Sequence, residues 1–587
     1  MKTLNEILKT VEKPCRYTGG EFNDNVTKKD FNYCICFPDV YEVGMSNLGI
    51  KIVQEAIQSV SGASVDRCFA PWHDFGNALK ENSIPLYSLG LKMPLKDFDM
   101  IGFSLQYEMS YTTILYMLDL AGIPFYAKDR GEEYPIIQGG GPCACNSEPI
   151  ADFFDIFVIG DGEESMVELT KLALLKLPKK EYLQRASKIQ GVYVPSLVEV
   201  QKTGDKITGF SSRVQKAICT DLNSAVYPKK FLVANCEAVF DRAVIEVMRG
   251  CYRGCRFCQA GFIYRPIREK QVDTLINQAK SIVESTGFEE LSINSLSTGD
   301  YPNLKEFISK VKVELPQVKL SLPSLRIDSF EGEMTENLRK SSLTFAPEAG
   351  TQRLRNVINK DISDKEIENC FEMAFNAGYT SIKLYFMLGL PTETLEDLQG
   401  IADIVNKIRE IYARKKSRLA SLRISVSVST FIPKPFTPFQ WERQATREEI
   451  AEKVSYLHSA LRIKGVSFSW NDYDLSQAEA VLARGDRKLS KLLETIYHKG
   501  SFMEGWSDYF VKENWQQAFA ECNINPADYT REFGEDELLA WDMVDMFIDK
   551  EFLLRERHNA YKQIATKGCN GGCKACGMQK VYNCNKQ

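Results

Sequence analysis

The segment Arg249-Gly250-Cys251-Tyr252-Arg253-Gly254-Cys255-Arg256-Phe257-Cys258 places three thiols in one short loop near the middle of the chain. Iron–sulfur clusters are ordinarily held by four cysteine thiolates, so a three-cysteine loop leaves one iron of a four-iron cubane open to a small-molecule chelate. Zinc knuckles show paired Cys-x-x-Cys or Cys/His sets, and the loop therefore reads as a cluster site rather than zinc or ordinary free thiols. An open iron on a redox centre implies chemistry.

Working outward from this loop, the run Ala243 to Met248 is a strand that ends at the cysteines. Further strands follow at Glu290 to Asn294, Val318 to Leu322, Leu343 to Phe345, Ser381 to Phe386 and Arg423 to Ser429. Each ends in polar or glycine-bearing residues: Ser297-Thr298-Gly299-Asp300, Ser324 to Asp328, Ala346 to Gly350, Gly389 to Pro391, and Pro433 to Phe439. Six strands with such ends predict a partial or full βα barrel over 236–440, with the active site at the carboxyl ends of its strands.

Upstream, residues 1–185 alternate apolar strands (Phe31 to Phe37, Met100 to Leu105, Tyr134 to Ile137, Phe154 to Ile159) with amphipathic helices. That rhythm predicts an α/β doubly wound parallel sheet with ligands at the strands' carboxyl ends. Three of those ends are distinctive: Asp39-Val40-Tyr41-Glu42-Val43-Gly44, Ser104-Leu105, and Gly139-Gly140-Gly141. Glycines there let a backbone approach a large flat ligand. Asp161, Glu163 and Glu164 read as helix N-terminal carboxylates. Cys143 and Cys145 read as buried thiols. Residues 186–235 form a linker with a hairpin tip at Lys202 to Asp205. Residues 441–587 are mainly helical and end in Cys569, Cys573, Cys576 and Cys584. Four thiolates in so short a span make a closed site, for a second iron–sulfur cluster or a structural zinc.

The chain has 587 residues, 44% of them hydrophobic, enough for three or four domains with their own cores. Its 17 cysteines appear with no secretion signal, which argues for reduced thiols and metal ligands in the cytoplasm rather than a disulfide scaffold. No apolar run approaches the roughly twenty residues of a membrane span. A formal charge of −5 gives no broad electrostatic footprint for nucleic acid.

The cysteine loop resembles the signature of the radical S-adenosylmethionine superfamily: Cys, three residues, Cys, one residue, an aromatic, Cys. The resemblance implies that the open iron binds S-adenosylmethionine and that one electron from the cluster releases a 5′-deoxyadenosyl radical. It also implies roles for Phe257 beside the third cysteine, for Ser297, Thr298, Gly299 and Asp300 at the methionyl amino group, for Ser324 and Arg326 at the ribose or carboxylate, and for Glu348 in the following turn. The N-terminal pieces resemble the cobalamin-binding domain that precedes many such modules, which implicates Asp39, Tyr41, Gly44, Ser104, Gly139 and Gly140. Tyr41 stands where that pattern has a histidine below cobalt. The order of parts, from Glu42 to Gly49 through Leu482 to Asp486 and the cysteine tail, is similar to an uncharacterised cobalamin-binding-type radical family. The expected function is methyl or methylthio transfer to an unactivated carbon of an unknown substrate, served by a one-electron donor such as flavodoxin or ferredoxin. Two alternatives stay open: cobalamin-independent methylthiolation of RNA or protein, and a non-catalytic iron–sulfur electron-transfer or scaffold protein.

Overall fold

The computed structural model describes residues 2–204, 206–321, 327, 342–415 and 419–584. The N-terminal sheet is built from β1 (Phe31–Phe37), β2 (Ala63–Phe69), β3 (Met100–Ser104), β4 (Ile136–Gly140), β5 (Ile156–Val158) and β6 (Val192–Tyr193). Its order is β2-β1-β3-β4-β5-β6, parallel throughout except for the antiparallel last strand. Every residue of β1 is buried, as expected of a strand covered on both faces. Tyr33 and Ile35 pack with the helices Leu48–Gln58 and Glu163–Ala173. Cys34 and Cys36 pack with His73–Glu81 and Tyr111–Ala121 on the other side. This is the doubly wound fold expected from the sequence, and its chain order reverses between β1 and β3, where such sheets bind ligands.

Strand β2 escapes sequence reading because Asp66 and Arg67 interrupt its apolar run. Both are buried and paired: Arg67 Nη2 donates to Asp24 (2.6 Å) and Glu21 (3.3 Å), and Asp66 accepts from the amides of Gly90 and Leu91.

The barrel comprises two parallel sheets. The first has β7 (Ala243–Glu246), β8 (Glu290–Asn294) and β9 (Lys319–Ser321). The second has β10 (Leu343–Glu348), β11 (Ser381–Leu388), β12 (Arg423–Thr430) and β13 (Val466–Trp470). The seventh strand lies beyond the boundary expected at 440. Its alternation of Val466, Phe468 and Trp470 with serines carries a period-two strand signal within a stretch otherwise read as helical. Along β11, Ile382, Leu384, Phe386 and Leu388 pack beneath the helices Asp364–Asn376 and Leu395–Lys415. Lys383 and Tyr385 point the opposite way and stay accessible, Tyr385 at 42%. The inner face is therefore polar and open, unlike the packed interior of a closed eight-stranded barrel.

Gly350 marks the tightest approach of a loop to a helix in this unit. A Cβ there would lie 2.2 Å from the Asp397 carbonyl and 2.4 Å from the Ile401 amide. Backbone cannot yield as a side chain can. Gly350→Ala is expected to cost about 1–3 kcal/mol by overpacking, seen as a lower midpoint in thermal unfolding.

The helical C-terminal region does not keep a core of its own. Leu482, Leu489, Leu492, Trp515 and Phe552 belong to the same apolar cluster as Ile114 and Leu115 of the N-terminal domain. The linker joins in, since Val214–Gln215 pairs with Val544–Asp545. Among the described residues, no helix is long and apolar enough to cross a membrane.

Candidate active site

The cysteine loop leaves the barrel at the end of β7. Gly250 has φ +89° and its Cβ position lies 2.8 Å from the Pro266 carbonyl, so only glycine fits this turn. Cys251, Cys255 and Cys258 are half-buried. Burial, together with the charges of Cys255 and Cys251, pushes the Cys258 thiol up to about 12, while Lys360 opposes the shift. A cationic iron array would offset that burial and stabilise Cys258 as a thiolate. Among the described residues, no three His, Cys, Asp or Glu side chains converge on one ion. A cubane takes one thiolate per iron, so its ligands surround a volume rather than meet at a point.

Long-range contacts hold the loop. The Arg256 guanidinium is buried and donates to Glu556 Oε2 (3.1 Å), to the carbonyls of Asn356 (3.0 Å) and Val357 (2.8 Å), and to that of Ile564 (2.7 Å). Asn359 Nδ2 donates to the carbonyls of Gly254 and Thr566, both at 3.0 Å. Phe257 packs against the apolar cluster that contains Ala349 and Leu354.

Asp300 accepts from Arg253 Nε (2.9 Å) and Nη2 (2.5 Å) and from Ser297 Oγ (2.5 Å). The acid end of Ser297-Thr298-Gly299-Asp300 is thus tied to the cysteine loop itself. Ser297 and Thr298 are buried. Glu348 sits at a register shift of β10 with φ +67°, and its carboxylate meets Lys360 at 3.2 Å. Ser324 and Arg326 lie outside the described residues.

A cavity of about 400 Å³ opens at the carboxyl ends of the N-terminal strands. One wall comes from the barrel side: Met248, Arg249, Gly250 and Tyr264. Of the six residues expected there, Ser104 and Gly140 line it; Asp39, Tyr41, Gly44 and Gly139 do not. Asp39 accepts from Trp506 Nε1 at 2.9 Å. Tyr41 is buried, accepts from the Asn235 amide at 2.7 Å and packs edge-on against Phe69. Glycines 44 and 139 are small for packing, since a Cβ would meet the Phe69 ring at 2.2 Å and the Phe157 ring at 2.6 Å.

Residues that sequence reasoning passed over take their place, among them Asn47, Gln106, Gln138, Gly160 and Asp161. Gln138 is buried and its Oε1 has no hydrogen-bond partner, although Nε2 reaches Met166 Sδ at 3.0 Å. Asp161 and Glu163 are more than helix-terminal carboxylates. Arg249, the residue two before Cys251, pairs with Asp161 (2.9 Å), Glu163 (2.8 Å) and Glu246 (2.9 Å), and Arg268 also grips Asp161. Burial pushes the Asp161 carboxyl up, but Arg268 and Arg249 outweigh it and hold the group well below the usual carboxylate range. The only sequence signal for this hub was an acidic Gly-Asp-Gly-Glu turn.

The four tail cysteines line a second cavity, of about 380 Å³, with Tyr252, Arg265, Asp300 and Lys574. Burial raises the Cys569 thiol, and Arg265 counters the effect.

Comparison with known proteins agrees with this arrangement. Residues 49–195 match the profile described as Radical SAM proteins, N-terminal, and residues 245–405 match that of the Radical SAM superfamily. The chain belongs to the radical S-adenosylmethionine superfamily, whose cofactors are a 4Fe-4S cluster and S-adenosylmethionine. An uncharacterised protein of Methanocaldococcus jannaschii is 29% identical over 475 residues, 79% of this chain and 90% of that protein. The ribosomal protein uS12 methylthiotransferase RimO of Thermoanaerobacter sp. is 21% identical over 38% of this chain and 53% of the relative. The chain thus spans about half the length of that methylthiotransferase. In fold, the chain is similar to the radical S-adenosylmethionine methyltransferase TsrM of Kitasatospora setae, solved with cobalamin and a [4Fe-4S] cluster bound. The TM-score is 0.51 at 11% identity, covering 84% of this chain and 99% of that one.

Proposed function

We propose that this protein is an enzyme that transfers a methyl or methylthio group to an unactivated carbon, with a corrinoid methyl carrier seated in the N-terminal cavity. The observation that carries this reading is the shared wall: the cavity at the sheet's carboxyl edge is closed by Met248, Arg249 and Gly250, immediately before Cys251. Its likenesses support the reading, since TsrM is described as a methyltransferase with cobalamin bound and RimO as a methylthiotransferase.

Cys251, Cys255 and Cys258 would hold the cluster, which when bound supplies one electron for reductive cleavage of S-adenosylmethionine. The chain's own residues do the rest. Arg249 and Arg256 fix the loop between the N-terminal sheet and the C-terminal helix Lys550–Tyr561. Arg253 and Ser297 orient the Asp300 carboxylate. Gln138 Oε1 offers a buried acceptor to an N–H donor, such as the side-chain amides that ring a corrinoid. Lys383 and Tyr385 present donors from the inner face of the barrel to the substrate. A flavodoxin- or ferredoxin-type protein supplies the electron.

The test is anaerobic reconstitution with iron, sulfide and S-adenosylmethionine, followed by incubation with hydroxocobalamin and desalting. Retained corrinoid absorbance and transfer of labelled methyl from S-adenosylmethionine to a component of cell extract are expected. A Cβ at Gly140 meets only the Val158 carbonyl, at 3.7 Å, so Gly140→Leu fills the cavity without a backbone clash. It is expected to weaken corrinoid retention at least about tenfold, a loss of about 1.4 kcal/mol, while leaving iron content intact. A wild-type protein that retains no corrinoid removes the carrier.

A further inference from the structure

We infer that the C-terminal cysteines hold a second redox cluster that hands electrons to the central loop, so that this tail is the port through which reducing equivalents reach the active site. The inference rests on the radical reading of the central loop and adds a role for the tail. Cys569, Cys573, Cys576 and Cys584 all line the cavity of about 380 Å³ beside that loop. A backbone hydrogen bond joins the two cysteine segments. The backbone N–H of Cys569 donates to the Tyr252 carbonyl at 2.8 Å, and Tyr252 is bonded to Cys251. One peptide unit and one hydrogen bond therefore join a ligand of each set. Gly568 makes this approach possible, because a Cβ there would lie 2.8 Å from the Tyr252 carbonyl oxygen.

Arg265 is the independent sign that an anion belongs in this cavity. It lines the site, is 5% exposed, and its Nη1 has no partner among the protein's own acceptors. A buried guanidinium with an unanswered N–H is costly unless a negative group meets it. A centre held by four thiolates is such a group. Arg265 would stabilise its more negative, reduced state.

The tail is also anchored for this task. The Thr566 amide donates to Asn359 Oδ1 (2.8 Å), while Asn359 Nδ2 reaches the Gly254 carbonyl between the first two loop cysteines. On the far side, the Asp549 amide donates to the Cys576 carbonyl at 2.8 Å. Four thiolates complete the ligand set of a four-iron cluster, leaving no open iron for substrate or sulfur delivery. The tail cavity and the N-terminal cavity share no lining residue, so electron supply and group transfer meet the loop on different sides.

A reduced flavodoxin- or ferredoxin-type donor gives one electron to the tail cluster and is itself oxidised by one. The tail cluster then passes that electron to the central cluster, and no covalent bond changes.

Rapid mixing of the anaerobically reconstituted full chain with reduced flavodoxin, and separately with dithionite, tests this. In Cys573→Ser, which alters the exposed ligand, reduction of the central cluster by flavodoxin is expected to slow at least tenfold, while its reduction by dithionite and the resulting 5′-deoxyadenosine stay at wild-type level. Equal flavodoxin rates in the two proteins would overturn the relay, as would zinc in place of iron at the wild-type tail. Absence of 5′-deoxyadenosine from the wild type with dithionite would instead sink the central reading, and the two failures are thus distinguishable. Arg265→Met keeps an apolar stem over Phe262 and Phe552 and leaves all the cysteines in place. A redox titration followed by electron paramagnetic resonance is expected to show a lower potential for its tail cluster, by about 59 mV for each tenfold change in the one-electron equilibrium. An unchanged potential there would remove Arg265 from the site.

Discussion

Cys258→Ala is expected to reduce 5′-deoxyadenosine formation to background in the reconstituted protein. The loop holds three thiols, and a cubane needs one per iron, so two remaining thiolates would leave two irons without protein ligands. Loss of a mere outer-shell partner typically costs a metal site 10–100-fold, and loss of a ligand itself should exceed that. Chromatographic assay of 5′-deoxyadenosine checks the outcome, with iron analysis beside it. Iron should fall by one cluster's worth and no more, because the tail cysteines are untouched. If variant and wild type cleave S-adenosylmethionine alike, the assignment of this loop is wrong.

Arg249→Met carries the second large effect. Arg249 is the shared cation for Asp161, Glu163 and Glu246, at 2.8 to 2.9 Å. The methionine fills much of the same space but leaves three carboxylates close together with one cation fewer. Removing one partner of a buried ion pair costs about 3–5 kcal/mol, since the remaining charge is left uncompensated. The pH dependence identifies the cause. Although burial alone would raise them, arginine contacts hold the Asp161 and Glu246 carboxyls below their ordinary values. Groups with depressed folded values contribute stability that is complete above about pH 4 and fades as pH falls through the folded value. The deficit of the variant should therefore be full at neutral pH and shrink only under more acid conditions. Hydrogen exchange of the 159–163 and 246–250 amides reads this locally. A deficit independent of pH down to 3 would assign the loss to packing.

Much of the fold was legible because its signals are local. Strand β1 is an apolar run broken by Asn32 alone, and the helices around it repeat every three to four residues. Strand β2 was not legible, since the partners of its buried charges come from other segments: Asp24 and Glu21 pair with Arg67, and the Gly90 and Leu91 amides donate to Asp66. Strand β13 was legible and passed over. At the site, the cysteines and Asp300 could be named from pattern, although Asp300 turns out to be bound to Arg253. Gly44 and Gly139 show the limit of such patterns: a glycine signals that something approaches closely, but not whether it is a ligand or an aromatic ring of the same chain.

The spacing of Cys251, Cys255 and Cys258 by itself determined the class of this protein, because a cluster site confined to one loop carries its chemistry in ten consecutive residues. The tail spacing likewise raised the expectation of a second closed thiolate site. Only the tertiary structure decided how these parts work on one another. It turned Asp161 and Glu163 into partners of Arg249, moved the N-terminal cavity away from Tyr41 and toward Gln138, and seated Cys569 on the carbonyl of Tyr252. Those contacts join residues as far as 317 positions apart, through packing and buried charge that no local pattern encodes.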